Sequence, residues 1–312
     1  MARIGSLPAG GPVAATTRQT SAQARTGGRR GGWTLRGLVL LFLVLMLVYF
    51  VIPLFWLVVS ATKTNDELFS TFGLWFAPDF HLLQNLHDVF TYDDGIFVTW
   101  LTNSAYYAVV SALGASLIAT LAGYAFAKLS FPGRELAFAI ILGTIMVPNT
   151  ALAIPTYLLL SKVGLVNTPL AIILPSLVTP FGVYLMRVYA EQALPDDLLD
   201  AARVDGASEW LIFWRIALRL LAPGFVTVLL LTFVGTWNNF FLPLVVTNNP
   251  AYYPLTVGLA NWNQLSQAFS GSRILYTLVI TGSLISVVPL IIGFLFLQRY
   301  WQGGLTFGSL RS

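Results

Sequence analysis

An uncharged, strongly apolar run covers residues 38–60 and constrains the fold of this chain more than any other feature. A run of about 18 or more apolar residues can cross a bilayer as an α-helix, because the hydrocarbon core is roughly 30 Å thick and a helix rises about 1.5 Å per residue. The composition agrees, since 56% of the residues are hydrophobic and only 10% are charged. The sequence therefore predicts a protein whose core is formed by helix–helix and lipid contacts.

Five more apolar segments follow, and the only charged residue in the six predicted spans is Arg187, near the end of the fourth. Pro148 and Pro155 interrupt the third span, which we interpret as one kinked helix because neighbouring helices can satisfy the carbonyls that a proline frees. The fold class is an all-α membrane protein with six transmembrane helices. These cover residues 38–60, 104–127, 136–160, 168–188, 222–246 and 274–297.

Residues 1–36 carry six arginines and no acidic residue. Too few apolar side chains are present to offset the entropy of ordering, so we predict a disordered basic tail followed by a membrane domain over residues 37–312. A signal peptide would have an apolar region of about 7–15 residues, and the first run is longer, so we expect the first helix to be retained. Nucleic-acid binding by the tail is disfavoured, because aromatic residues are scarce there and a span follows at once.

The Arg and Lys residues predict the orientation of the chain. Six spans place both termini on one side of the membrane, and that side then holds fourteen of the basic residues. The other side holds only Lys63, Lys162 and Arg273. Because cytoplasmic loops carry an excess of Lys and Arg, both termini are predicted to be cytoplasmic.

Small residues recur at every fourth position of the second span. Such a ladder lies on one helix face and allows another helix backbone to approach closely. We therefore predict tight helix packing there, within this chain or against a partner. The ladder consists of Ser111, Ala115, Ala119, Gly123 and Ala127.

Several kinds of chemistry are missing from the sequence. No G-x-x-x-x-G-K-[ST] string is present to hold nucleotide phosphates, so we expect no ATP hydrolysis by this chain. The absence of cysteine excludes disulfides and thiolate metal sites. His81 and His87 share one predicted outer loop at a spacing that does not suit a helical metal-binding pair, and we interpret them as ordinary loop residues.

An acid-rich segment, DDLLDAARVDGASEW, lies between two apolar spans, with five carboxylates from Asp196 to Glu209. Pro195 suits a helix start, and acids in a first turn complement the positive end of the helix dipole. Gly206 can end this helix in a left-handed cap, and Ser208 can cap a second helix. The segment is predicted to form two short helices joined by a sharp turn.

The first short helix is predicted to have one apolar side, formed by Leu198, Leu199 and Ala202, and the small side chains of Ala201 and Ala202 leave its surface without bulk. A helix with small side chains and acids at its edge can fit into a groove of another protein. The alternative is an amphipathic connector that docks against nothing, and the residues alone leave both open.

The acid-rich segment resembles the signature of permease subunits of binding-protein-dependent ABC importers: Glu-Ala-Ala, three residues, Gly, nine residues, then Ile-x-Leu-Pro. Two departures occur, since Asp200 replaces the Glu with a shorter acid and Arg219 stands where Pro is usual. The matching residues here are Asp200, Ala201, Ala202, Gly206, Ile216 and Leu218.

The resemblance extends beyond this segment. TWNNFFLPLVV from Thr236 and YYPLTVGLA from Tyr252 resemble the fifth helix and the following outer loop of the sugar-importing branch. LQRYWQGGLTFGSLRS from Leu297 resembles the end of the maltose-type second permease. The implied fold is that of a type I ABC importer permease, with a core over about residues 100–298.

This resemblance implies a heteromeric importer in a bacterial or archaeal cell membrane. A sugar-binding protein would deliver a carbohydrate at the outer face, and a homologous second permease would complete the pathway. Two ATPase subunits would hold ATP and Mg²⁺, with no cofactor in this chain. A coupling loop over residues 189–221 would dock on an ATPase subunit through Asp200, Ala201, Ala202, Asp205 and Gly206.

Uncharged polar residues on the fifth span are candidates for the translocation pathway. Thr232, Thr236, Asn239 and Pro243 are predicted to share one helix face, with Trp237 and Asn238 beside it. Amides and an aromatic ring suit a neutral hydroxylated solute. The alternative is that the Asn and Thr groups hydrogen-bond between helices.

Three other functions remain open at this level. An ion-coupled secondary transporter is disfavoured because its coupling ion requires ionisable residues at membrane depth. A membrane-embedded enzyme is disfavoured because no His, Asp and Glu cluster lies near a span. A scaffold subunit would explain the acid-rich segment but not the polar face. The aromatic outer loop over residues 248–272 is the candidate contact with the binding protein.

Overall fold

The computed structural model describes residues 28–268 and 274–305. Within these residues the regular structure is entirely helical. The chain forms two compact units, Met1–Pro53 and Leu54–Ser312. In the first unit the described residues belong to one apolar helix that begins at Gly28, inside the segment predicted as a tail.

The helices before the middle of the chain are α1 (Gly28–Ser60), α2 (Asn65–Ser70), α3 (Leu82–Thr91), α4 (Ile96–Lys128), α5 (Arg134–Ile145), α6 (Asn149–Lys162) and α7 (Leu170–Ser176). Those that follow are α8 (Pro180–Ala193), α9 (Asp196–Val204), α10 (Glu209–Ile212), α11 (Leu218–Leu220), α12 (Ala222–Trp237), α13 (Phe241–Val246), α14 (Leu255–Ala268) and α15 (Ile274–Leu305). A π-helical turn, Phe213–Ala217, joins α10 to α11.

By length and composition, four stretches among the described residues are long and apolar enough to cross a membrane, and up to six if each of two bent helix pairs counts as one span. The four stretches are Arg36–Ser60, Leu82–Lys128, Leu170–Ala193 and Leu275–Phe296. The bent pairs are Arg134–Ile145 with Asn149–Lys162, and Glu209–Leu220 with Ala222–Trp237.

Two predicted spans, the third and the fifth, are broken, which corrects the sequence interpretation. α5 and α6 meet at 105°, with Pro148 at the start of α6, so the third span is two helices and not one kinked helix. The fourth lies within the single stretch Leu170–Ala193, with a short non-helical break where the Thr179 Oγ1 caps α8 by accepting a hydrogen bond from the Gly182 amide at 3.2 Å. The fifth is interrupted after Trp237.

α4 forms the centre of the second unit and packs against α8 and α12. The predicted ladder of small residues lies on its buried face: Ser111, Ala115 and Ala119 are fully buried, and Ala127 is half-buried. At Gly123 the backbone of α8 comes so close that an added Cβ would lie 2.7 Å from the Arg187 amide nitrogen. The ladder therefore serves packing within this chain.

The predicted outer loop between the first two spans is itself folded. A capping box starts α2, with Thr64 and Glu67 bonded reciprocally. The buried Asn85 amide of α3 donates hydrogen bonds of 2.8 and 2.9 Å to the carbonyls of Ala61 and Lys63. This segment is thus fixed to the residues that follow the end of α1.

Candidate functional site

The acid-rich segment folds into α9 and α10, as its local sequence predicts. Pro195 precedes α9, and Asp196 and Asp197 occupy its first turn. The Lys128 ammonium at the end of α4 lies 2.7 Å from the Asp196 carboxylate, and the Lys128 side chain is only 7% exposed. The start of α9 is therefore tied to α4.

Gly206 ends α9 in the predicted left-handed conformation, with φ of +82°. The amides of Gly206 and Ala207 each donate 3.0 Å hydrogen bonds, to the carbonyls of Arg203 and Ala202, the pattern of a glycine-terminated helix. Ser208 then caps α10 by accepting a hydrogen bond from the Leu211 amide. No atom of the described chain lies within 4 Å of where a Cβ on Gly206 would stand.

The two faces of α9 differ from the sequence prediction in one respect. Leu199 and Ala202 are buried, but Leu198 is 41% exposed and so does not share their side. With Ala201 and Val204 it forms an exposed apolar strip along the opposite face.

Arg203 on α9 contacts two carboxylates, Asp200 on its own helix and Glu209 on α10, and the second contact joins the two helices. Its guanidinium nitrogens lie 2.7 Å from Asp200 and 2.7 Å from Glu209. The hydrogen bonds to Glu209 and then Asp200 hold the pKa of Arg203 above its usual value. Sequence reasoning did not single out Glu209, whose second oxygen accepts a 3.0 Å hydrogen bond from the Tyr124 hydroxyl of α4.

A cleft of about 730 Å³ opens in the second unit where the helices break. It lies between α6, the α7–α8 break, α12 and the start of α13. All its lining side chains are uncharged. The polar ones are Thr144, Asn149, Thr150, Thr156, Ser176, Thr179, Thr232, Thr236 and Asn239.

Three of the five predicted pathway residues line this cleft, namely Thr232, Thr236 and Asn239. No described residue makes a hydrogen bond to their side chains, so their polar groups are not used between helices. The other two do not line it: Trp237 is 4% exposed and stacks on Phe233, their ring centroids 5.9 Å apart.

Asn238 and Pro243 also depart from the predicted polar face. The Asn238 side chain donates a 2.9 Å hydrogen bond to the Val234 carbonyl of its own helix. Pro243 is buried in α13, after the break in the fifth span. The predicted face is thus kept at Thr232, Thr236 and Asn239 but does not extend to Pro243, because the fifth span is not one helix.

The remaining polar groups of the cleft come from α5, α6 and the α7–α8 break, and sequence reasoning missed them. Asn149, Thr150 and Thr156 follow the 105° bend, which brings their stretch of chain to the cleft. The sequence did contain a signal for the break in the third span, namely Asn149 and Thr150 directly after Pro148. A proline followed by polar residues inside an apolar run indicates a helix start.

The predicted outer loop folds partly against α4. The Trp100 indole donates a 2.9 Å hydrogen bond to the Pro250 carbonyl. The Asn103 amide donates to the carbonyls of Ala251 and Tyr253 at 2.8 and 3.0 Å. The following residues, predicted as loop up to residue 272, begin with α14, and residues 269–273 lie outside the described part.

His81 lies closer to carboxylates than the sequence suggests. One ligand atom each from Glu67, Asp79 and His81 falls within 4.8 Å of the others. Glu67 is already engaged in the cap of α2, where the backbone hydrogen bond from Thr64 lowers the pKa of its carboxyl. His87 is exposed and lies 3.6 Å from Asp88.

Residues 115–302 match the family model for the inner membrane component of binding-protein-dependent transport systems. The chain belongs to that family. It is a permease component of ABC importers and not an enzyme, and it is a multi-pass membrane protein. The matched region includes both the cleft and the α9–α10 segment.

Characterised relatives match this permease over most of its length. The arabinooligosaccharides transport system permease protein AraQ of Halalkalibacterium halodurans is 36% identical, over 84% of this chain and 91% of the relative. The lactose transport system permease protein LacG of Rhizobium radiobacter is 31% identical, again over 84% of this chain and 91% of the relative.

The permease also shares its fold with a solved structure, a bacterial ABC transporter involved in the import of the acidic polysaccharide alginate. The TM-score is 0.75 with 21% identity, and the match covers 87% of this chain and 98% of that one. This similarity establishes the type I ABC permease fold.

Proposed function

We propose that this permease forms half of the pathway of an ATP-driven, binding-protein-dependent importer of neutral oligosaccharides. The observation that carries the proposal is the uncharged cleft lined by hydroxyls and amides, in a family whose relatives AraQ and LacG are named for oligosaccharide and lactose transport. Hydroxyl and amide groups can exchange hydrogen bonds with sugar hydroxyls, and a site without charge offers no counter-ion to an acidic sugar.

The cleft residues assigned to the pathway are Thr232, Thr236 and Asn239, joined by Asn149 and Thr150 from α6. Their free polar groups support a wet passage, because a side chain without a protein partner must hydrogen-bond to water or solute. Trp237 and Asn238 are not assigned to it, since neither lines the cleft.

We propose six spans with both termini in the cytoplasm, α5 and α6 forming one span and α12 and α13 another, while α9–α11 stay at the cytoplasmic face. The ion pairs support this topology: Lys128–Asp196 joins the end of α4 to the start of α9, and Arg187–Glu135 joins the second half of α8 to the start of α5. Basic residues therefore gather at one end of the second unit, as the positive-inside rule requires of a cytoplasmic face. A basic tail over residues 1–36 and a membrane domain over residues 37–312 complete this arrangement.

α9 is proposed as the coupling helix that docks on one of two ATPase subunits, where ATP and Mg²⁺ would bind. Its exposed strip of Leu198, Ala201 and Val204, and the open space above Gly206, leave room for a partner surface. Asp200 and Asp205 would add charge at the edge of that contact. A homologous second permease would cover the open side of the cleft, and a sugar-binding protein would dock at the outer loops, including residues 248–268.

Two substitutions at Gly206 test the docking. Asn tolerates left-handed backbone, so Gly206→Asn should preserve the end of α9 and the association with the ATPase subunit. In Gly206→Trp the added Cβ meets no neighbouring atom, but the left-handed φ of +82° strains a bulky residue, so thermal unfolding must first show that the variant folds; its ring would then fill the space proposed for the ATPase. We expect co-purification with the ATPase and ATP-dependent uptake to be lost in Gly206→Trp alone.

Equal ATPase association and equal uptake in the two Gly206 variants would contradict the docking proposal. Accumulation of a solute by the permease alone, driven by an ion gradient in vesicles without ATPase subunits, would contradict the importer. A panel of uptake substrates tests the solute class, with neutral oligosaccharides expected to enter and uronate oligosaccharides of the same length expected to be excluded.

A further inference from the structure

Glu209 connects three elements, α4, α9 and α10, near the end of the predicted second span. One carboxylate oxygen accepts a hydrogen bond from the Tyr124 hydroxyl of α4 at 3.0 Å. The other accepts one from Arg203 of α9 at 2.7 Å. Arg203 also contacts Asp200 at 2.7 Å, so the acid in the signature position is linked to α4 through Arg203 and Glu209.

A second link joins the opposite end of α9 to the same helix. Lys128 lies one helical turn after Tyr124 on α4, and its ammonium contacts Asp196 at 2.7 Å. Residues four apart share a helix face, so the two anchors lie side by side. α9 is therefore held to α4 at its first turn by Asp196 and near its end by Arg203.

Apolar packing fills the space between these two links. Leu199 and Ala202 of α9 are buried in one cluster with Tyr124 of α4 and Met186 of α8. The anchor side chains on α4 are shielded, Tyr124 being 3% exposed and the Lys128 side chain 7%, whereas their partners Asp196 and Glu209 are 78% and 43% exposed. Exposed ion pairs contribute little to stability, so the polar contacts mainly fix the direction of α9 while the apolar packing supplies most of the strength.

We infer that Glu209 is a positioning residue of the importer: with Tyr124, Arg203 and the Lys128–Asp196 pair, it clamps α9 to α4 so that the two helices move as one body. This rests on the proposed coupling role of α9. On this inference Asp200 acts partly within the chain, by holding Arg203, in addition to any contact with the ATPase. Motion of α9 would then reach α12 and the cleft through α4, which packs against α12.

The coupling ratio of the assembled importer, solute moved per ATP hydrolysed, tests the clamp. Glu209→Gln removes the charge and one acceptor oxygen while keeping the side-chain shape, and Tyr124→Phe removes the hydroxyl alone. Each should lower the ratio about fivefold or more, within the usual range of coupling between sites, while ATP hydrolysis continues. Asp197→Asn is the matched control. Asp197 is an exposed acid in the first turn of α9, next to Asp196, and has no bonding partner among the described residues.

The double variant separates a clamp from general destabilisation. Glu209→Leu removes both acceptor oxygens, so if Tyr124 and Glu209 act through one hydrogen bond, adding Tyr124→Phe to Glu209→Leu should change the ratio no further. Independent structural damage would instead multiply the two effects. Multiplied effects, or an unchanged ratio in both single variants, would overturn the inference.

A distance measurement tests the clamp without reference to transport. The chain has no cysteine, so Ile118→Cys on α4 and Asp197→Cys in the first turn of α9, both at exposed positions outside the proposed docking strip, give a unique pair for spin labels. In the assembled complex, Glu209→Gln should broaden the distance distribution, whereas Asp94→Asn, an exposed acid before α4, should leave it narrow. If the distance distribution stays equally narrow in both variants, the inference is overturned. If the parent chain does not associate with the ATPase subunit, the proposed function is contradicted instead.

Discussion

Gly123 on α4 lies directly against Met186 on α8, so that a Cβ added at Gly123 would stand 2.5 Å from the Met186 Cβ. It would also stand 2.7 Å from the Arg187 backbone nitrogen, which cannot move without displacing α8. A small residue of the ladder thus lets α4 and α8 approach closely. The contact holds α4, which carries the anchors of α9, against α8, which forms one wall of the cleft.

Gly123→Ala should therefore destabilise the folded permease by about 1–3 kcal/mol, the usual effect of overpacking a close contact. Thermal unfolding of the purified chain in detergent would show the midpoint falling. Gly143→Ala in α5 is the matched control, because nothing lies within 4 Å of its added Cβ and alanine favours a helix by about 1 kcal/mol over glycine. A midpoint that falls equally in both variants would contradict the close contact.

Asn239→Leu should reduce uptake about tenfold, the effect of losing roughly one well-formed hydrogen bond to the solute, while assembly with the partner subunits is retained. Its neighbour provides the control. Within the described residues, the Asn238 amide bonds to the Val234 carbonyl of its own helix and does not line the cleft, so uptake by Asn238→Leu should stay close to that of the parent chain. The reverse order of the two effects would place the pathway elsewhere.

Asn103→Ala should loosen the outer loop that follows α13. Its amide holds the carbonyls of Ala251 and Tyr253, and without those two bonds the loop opens more often. Hydrogen exchange across residues 251–253 should become about tenfold faster.

Thr102→Ala is the control for the outer loop, since in the part of the chain that the structure describes the Thr102 hydroxyl bonds to carbonyls of α4 and not to the loop. Exchange at residues 251–253 should not change in that variant. If the loop also contacts the binding protein, the affinity for that protein should fall in Asn103→Ala and not in Thr102→Ala. Unchanged exchange in Asn103→Ala would show that other contacts hold the loop.

Features set by local chemistry could be predicted from the sequence. Gly206 and Ser208 form the caps expected of them, because a left-handed turn and an N-terminal hydroxyl depend on residues a few positions away. The composition likewise indicated a helical membrane protein, and the resemblance of the Asp200–Gly206 signature indicated the family that the comparisons confirm.

Features set by distant contacts could not be predicted. The break after Trp237 falls at Asn238 and Asn239 within an otherwise apolar stretch, and it is stabilised from outside the helix. The Thr256 hydroxyl of α14 donates a 2.7 Å hydrogen bond to the Asn239 carbonyl, while Trp237 packs into a separate apolar cluster. Tyr124 and Glu209, 85 positions apart, meet only because α10 folds back under α4.

The 105° turn between α5 and α6 has a consequence for the life of the chain in the membrane. Non-helical backbone at bilayer depth is tolerated only where protein or water surrounds it, and here it borders a polar hollow. A solitary copy would present that hydrated wall to acyl chains. We therefore expect the permease to be degraded faster when the second permease subunit is absent. The amount of one subunit would then limit the amount of the other.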